Sequence, residues 1–447
     1  MEIIWRENSD PSAYEKARTK HLFNAVIPPR YPAAIAFVAT EQDIIDAVNL
    51  AVSKKLRISI RAGGHSYAAW SIRDNALLLD LGGYRECGFD DETGVVKVAP
   101  SLTGRELCEY LAQKGRIFPV GHCPDVSLGG YLLGGGMGWN QPNLGWACEH
   151  IVAIDLVTAS GELLCADAQQ NSDLFWAARG GGPAFPGVVT RFHLQTFPAA
   201  RTVRSSGYVY TVENYSPVFH WALKLAATFK DSVEIVAIGS YQDGIEAPCI
   251  TIALIAFGDD EEHITQILQG VEDSHPPNPI SHWVNQPTTL TEQFDLKAKS
   301  YPKEHRYYVD NAFLADETDV ASILERAFTT LPTRKSLALW TSLIPASRCD
   351  LPDMALSMQS DHYFALYAIW ENVNEDSRCV TWVDEVMQGV AEQSVGSYLG
   401  ELDFRSRNTA YWGEKQRDKL LEIKSLRDPE NRIYGCLGLE GIINQPE

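Results

Sequence analysis

The run Arg61-Ala62-Gly63-Gly64-His65-Ser66-Tyr67 sets a histidine directly behind two glycines at the end of a short alternating strand, 57–61. Consecutive glycines after a strand permit a tight turn whose backbone N–H groups face one way, which suits a pyrophosphate. By itself the run reads equally well as an ordinary strand-to-loop turn with a satisfied loop histidine. A second run, Gly121-His122-Cys123-Pro124-Asp125-Val126-Ser127-Leu128-Gly129-Gly130-Tyr131, continues into Gly134-Gly135-Gly136-Met137-Gly138. So many glycines are costly in a core element, whereas close approach of backbone to a large planar or phosphorylated ligand would justify them. No G-K-[ST] loop occurs, and G-x-G-x-x-G is not matched in a strand–turn–helix setting, so Rossmann and P-loop readings are disfavoured.

Around these runs the pattern is an α+β unit of short elements. Residues 41–55 place Ile44, Ile45, Val48 and Val52 at helical spacing behind a Thr40 cap. Strands are expected at 76–81 and 94–100, and a helix at 103–114. The stretch 149–192 reads as buried strand, hairpin, then helix. From about residue 201 the texture shifts to strand-like runs at 203–211, 232–241 and 249–257 with a polar helix at 259–270. That suits an antiparallel sheet covered by helices. The proline-rich stretch 272–288 is expected to be a surface loop. Further strands are expected at 336–344 and 361–370, and a charged helix runs from 413 to Asp428-Pro429.

Composition bounds the function. The 447-residue chain carries a formal net charge of -20 without a basic block, so binding to nucleic acid or an anionic membrane is set aside. Its nine cysteines show no C-x-x-C pair, which suggests neither a disulfide framework nor a zinc site. No apolar run approaches the ~20 residues of a membrane span, and residues 1–20 lack the apolar stretch of a signal peptide, so a cytoplasmic enzyme is expected.

Together, R-x-G-G-H-S-Y, C-P-x-V-x-x-G-G, G-G-G-x-G and W-A-x-R-G-G-G-P (Trp176 to Pro183) resemble the berberine bridge enzyme-like group of the vanillyl alcohol oxidase/p-cresol methylhydroxylase superfamily. The resemblance runs from about Arg30 to Pro198 and resumes, more weakly, from Tyr398 to Asn431. It implies a two-domain α+β fold, with an FAD domain at 1–200, a substrate domain at 201–404 and a segment 405–447 returning to the FAD domain. It also implies FAD held by two covalent bonds, through His65 to the methyl on the flavin's benzenoid ring and through Cys123 to the neighbouring ring carbon. Cys148 is read as packing.

By the same resemblance, Arg61, Ala62, Gly63, Gly64 and Ser66 cradle the pyrophosphate. Gly121, His122, Val126, Ser127 and Gly130 line the ring system, Tyr131 takes a place near the pyrimidine edge, and Ile151 and Val188 lie near the adenine end. The chain departs from the group's pattern twice: Tyr131 stands where histidine is common, and the Asn of the C-terminal Y-[YF]-G-x-N pattern is missing from Tyr411-Trp412-Gly413-Glu414-Lys415. The expected chemistry is hydride transfer from an alcohol or amine carbon of a small organic or carbohydrate substrate, with O2 as acceptor giving H2O2. A dehydrogenase excluding O2 and a flavin-bearing scaffold for non-redox cyclisation are the alternatives. The preferred base is Tyr411, as a phenolate whose pKa its neighbours lower. Tyr363, Tyr367 and Glu371 share one strand face by period-two alternation, while Tyr398, Glu401 and Asp403 occupy a segment near the pocket. Val126 is expected to leave room for O2 beside the flavin.

Overall fold

The computed structural model describes residues 1–230, 232–402 and 407–435, so Asp403 and Cys436 lie outside the described residues. The first part of the chain builds two small sheets and a two-stranded ladder of Arg116–Ile117 with Phe197–Pro198. In one, Ala34–Phe37, Leu77–Asp80 and Ile58–Arg61 pair in parallel, and Glu2–Trp5 adds an antiparallel edge. The other is an antiparallel sheet of five strands, ordered Cys87–Asp90, Val95–Val98, Gly187–Gln195, Ile151–Thr158 and Leu163–Ala166.

Helix Glu41–Lys54 begins where Thr40 and Asp43 satisfy each other's backbone N–H groups, a reciprocal cap written in the local sequence. Its buried stripe is Ile44, Ala47, Val48 and Ala51. Val52, expected on that stripe, is exposed instead. Helix Gly104–Ala112 starts on the same kind of cap, Thr103 with Glu106.

The second part is an antiparallel sheet of eight strands, ordered Ser281–Pro287, Thr202–Thr211, Pro248–Gly258, Val233–Tyr241, Leu337–Ser342, His362–Trp370, Arg306–Leu314 and Ser394–Gly396. Helices Tyr215–Ala226, Glu261–Glu272, Val320–Thr329 and Asp376–Val390 cover one face. Their Phe219, Leu268, Phe328 and Met387 share a core with Ile250, Ile252, Trp340 and Phe364 of the strands. The architecture is thus two-domain α+β. One expectation fails here: 272–288 contains the edge strand Ser281–Pro287, paired to Thr202–Thr211. Its prolines end or precede the strand, where no ladder hydrogen bond is lost.

The described tail packs on the first part. Arg427 forms a forked pair with Asp173 at 2.7 Å for both nitrogens, and Leu420 abuts Gly181. Beyond the helix Glu414–Arg427, Ile433 lies beside Ile58, whose N–H donates to Arg432 O at 2.7 Å and whose carbonyl accepts from Tyr434 N at 2.8 Å. Among the described residues no helix is long and apolar enough to cross a membrane.

Candidate active site between the two domains

A cavity of about 520 Å³ lies between the glycine-rich turns of the first domain and the helix-free face of the eight-stranded sheet. Its volume is that of an ordinary ligand site. Arg61, Ala62, Gly63, Gly64, His65, Ser66, Gly121, His122, Cys123, Val126, Ser127, Gly130 and Tyr131 all line it, so two turns some sixty residues apart meet at one place. Ile151 and Val188 do not line it. Strand alternation gives the reason for Val188: Gly187 and Val189 face the cavity, and Val188 is fully buried on the opposite side. Ile151 is buried at the start of its strand.

The turn at 61–67 is shaped by its glycines. Gly64 has φ +78°, and a Cβ there would stand 2.2 Å from His21 O, so no other residue fits. The backbone N–H groups of Gly63, Gly64, His65 and Ser66 donate to no described residue, which leaves a row of donors beside the cavity. The Arg61 side chain is turned into the protein. Its guanidinium is fully buried, bonded to Asp80 (2.8 Å) and to the carbonyls of Arg18 (2.7 Å) and Ala17 (2.8 Å). Every nitrogen of the fork is committed inside the protein, so the Arg61 side chain braces the turn.

Glycines near 138 have a different cause from the one expected. A Cβ on Gly138 would meet the Tyr131 hydroxyl at 2.4 Å. The Tyr131 phenol donates to Pro119 O at 2.6 Å, so these glycines make room for a tyrosine ring as much as for a ligand.

His65 stacks on Phe23 with ring centroids 4.0 Å apart. Its Nε2 is 3.3 Å from Asp125 Oδ1 but misaligned, leaving a buried imidazole nitrogen with no hydrogen-bond partner. Burial would raise the Asp125 carboxyl, but His65 and the Lys303 ammonium, 2.8 Å away, hold it well below the usual carboxylate range. Burial pushes the Cys123 thiol up, reinforced by Glu401 and Asp125, against the opposing pull of Lys297. Cys148 is buried against Met354, with sulfur atoms 3.8 Å apart, and does not line the cavity. An orphaned imidazole nitrogen, a thiol opening on the same space and a row of free amides fit a covalently held dinucleotide such as FAD.

On the sheet side, Tyr363 donates to Glu401 Oε2 at 2.6 Å, and both line the cavity. His122 Nε2 lies 2.7 Å from Glu234 Oε1, whose other oxygen accepts from Asn140 N at 2.8 Å. The expectation of a phenolate base meets an obstacle. Burial, then Glu401, raises Tyr363 well above the ordinary tyrosine value, and Tyr67, Tyr131, Tyr301, Tyr367 and Tyr398 are raised by burial too. Near a carboxylate and out of water, a phenol keeps its proton.

Tyr367 and Tyr411 do not line the cavity. The Tyr367 ring is packed 5.1 Å from Tyr301 and 6.1 Å from Tyr67, while Tyr411 sits beside Trp412, which is tied to Gly180 O. Glu371 follows the strand onto the surface and binds His305 at 2.9 Å. Tyr398 is buried and lines the cavity, its hydroxyl accepting from Met137 N at 3.2 Å. Sequence reading missed Glu234, Trp139 and the helix Leu290–Ser300, which contributes Gln293 and Lys297, followed by Tyr301. The signal was present: Thr289 and Glu292 spell a capping box, with Gln293, Lys297 and Tyr301 four apart behind it.

Comparison with known proteins places this geometry. A family described as an FAD binding domain matches residues 32–167. The FAD-linked oxidoreductase nodO of Hypoxylon pulicicidum is 36% identical over 437 residues, covering 98% of this chain and 97% of that protein. Among solved structures, BBE-like 1 of Physcomitrella patens superposes with a TM-score of 0.84 at 20% identity, covering 98% of this chain and 97% of that one. A 6-hydroxy-D-nicotine oxidase from Arthrobacter nicotinovorans does so with a TM-score of 0.82 at 20% identity, covering 97% and 96%. The two superpositions speak to the fold alone.

Proposed function

Since the chain belongs to the FAD-linked oxidoreductases, we propose that this FAD-dependent oxidoreductase is an oxidase of the berberine bridge enzyme-like kind, whose flavin is bonded through both His65 and Cys123. It removes a hydride from an alcohol or amine carbon of a small organic molecule, and O2 takes the two electrons and two protons to become H2O2. The observation that carries the reading is that His65 and Cys123 line one cavity, beside the unused amides of residues 63–66.

When bound, FAD supplies the two-electron acceptor for the substrate's hydride. Glu401 receives the proton leaving the substrate O–H or N–H, and the Tyr363 phenol, donating to Oε2, holds that carboxylate in place. The geometry favours Glu401 over Tyr411 and Tyr367 because only a group facing the cavity can reach the substrate proton. His122 is oriented by Glu234 and packs on Trp139 with ring centroids 4.3 Å apart, which stiffens the wall behind Cys123. Val126 lies three residues past Cys123 and lines the cavity, where its short side chain leaves space for O2.

Acid-denatured protein should stay yellow after washing. His65→Ala and Cys123→Ala should each retain the colour through the remaining bond, and only the double variant should release it. Cys148→Ala should change nothing. FAD in the supernatant of denatured wild type would overturn the two-bond reading, and reduced protein that fails to make peroxide in air would overturn the oxidase reading.

A further inference from the structure

The helix Leu290–Ser300 places Gln293 and Lys297 along the cavity, and Tyr301 follows one turn later. Phe294 fixes this orientation: it is fully buried, its ring edge-on to Trp139 at 6.2 Å. Lys297 therefore enters the cavity, although other residues on the same helix point to water.

The Lys297 side-chain amine makes no hydrogen bond or ion pair with any described residue. The carboxylates near enough to influence it, Glu234 and Glu401, are committed elsewhere: Glu234 to His122 and the Asn140 amide, Glu401 to Tyr363. Across the cavity the sheet presents Val236, Ile238, Ala253, Ile255 and Leu339. A cation drawn into a partly dry, mostly apolar space without a contact partner is costly. Burial lowers its pKa accordingly, against the opposing pull of Cys123, Glu234 and Glu401. The arrangement repays that cost when an anionic oxygen settles on the amine.

We infer that Lys297 is a specificity-determining residue that binds an anionic oxygen, a carboxylate or an acidic phenol, carried by a substrate whose remaining body is apolar and lies against the sheet. The inference rests on the reading that FAD and substrate share this cavity. It goes further by naming the substrate's chemical class. Charge supplies the anchor, and the apolar residues of the sheet supply the area.

The test uses a matched pair of probes, naphthalene-2-carboxylate and naphthalene-2-carboxamide, titrated into the purified holoenzyme by calorimetry. Flavin content is read separately from the absorbance of the denatured protein, so loss of the cofactor reading and loss of this one are distinguishable. Wild type should bind the carboxylate at least tenfold tighter than the amide. Lys297→Met should bring the two within twofold, Lys297→Arg should restore the preference, and both variants should keep wild-type flavin content. A wild type without the preference, or one binding neither probe, would overturn the assignment. So would a preference that survives in Lys297→Met, or loss of flavin from that variant, which would assign the lysine to the cofactor.

Discussion

The first-domain wall of the cavity is built on the glycine-rich turns 61–67 and 121–138, whereas the opposing wall is built on side chains standing on a regular sheet. In the turns, the unpaired donors are main-chain amides, and their directions depend on conformations that glycine adopts readily, as at Gly64. On the sheet, the backbone is fully paired within the ladder, so Val236, Ile238, Leu339 and Tyr363 can vary without disturbing it. One wall is therefore rigid in sequence and general in ligand. The other is permissive in sequence and can be retuned to a substrate.

The sharpest way to break this comparison is Gly64→Ala. The new methyl would collide with the His21 carbonyl at 2.2 Å and sit at φ +78°, costing more than about 2 kcal/mol. Expression of the variant should give little soluble yellow protein, measured as the ratio of flavin to protein absorbance. A soluble variant with full flavin content would show that the turn is not the constraint described here.

Glu401→Gln probes the other wall. Flavin content should be unchanged, while anaerobic reduction by substrate in a stopped-flow instrument slows by roughly 10²-fold or more, the size of a general-base contribution. Tyr363→Phe should slow it less, because it removes only the group that orients the carboxylate. Reduction of Glu401→Gln at the wild-type rate would send the role elsewhere.

Val126→Leu acts at the seam between the walls. One added methylene should cost only about 1 kcal/mol of stability, and reduction by substrate should stay near normal. Reaction of the reduced protein with O2, followed by return of the oxidised absorbance, should slow at least tenfold. Equal reoxidation rates in the two proteins would remove Val126 from oxygen access.

The smallest effect should come from Ile238→Ala. Ile238 is half-buried and faces the cavity, so the loss in thermal stability should stay near 1 kcal/mol, with the flavin retained. The change should appear in KM and not in flavin content. A variant that loses flavin would blur the distinction between the two walls.

Features set by adjacent residues were legible from the sequence alone. The glycine turns, the positions of His65 and Cys123 on them, and the helix starts at Thr40 and Thr103 all depend on backbone conformation over a few residues. Such requirements are local, and a short motif carries them whole. The strands of the second domain were legible by alternation, though Ser281–Pro287 was hidden by its neighbouring prolines.

What the tertiary structure decided were the distances between side chains far apart in the chain. Only the folded protein commits the Arg61 guanidinium to Asp80, Ala17 and Arg18. Only the register of His362–Trp370 in its sheet, and the path of the chain through 398–402, bring Tyr363 to Glu401 while Tyr367 and Tyr411 stay outside the cavity. Lys297 became a site residue because a buried Phe294 turned its helix inward. A residue's type sets what it can do, but its reach and its protonation depend on neighbours that the fold brings from elsewhere, and burial of a phenol or an ammonium is a property of the assembled core.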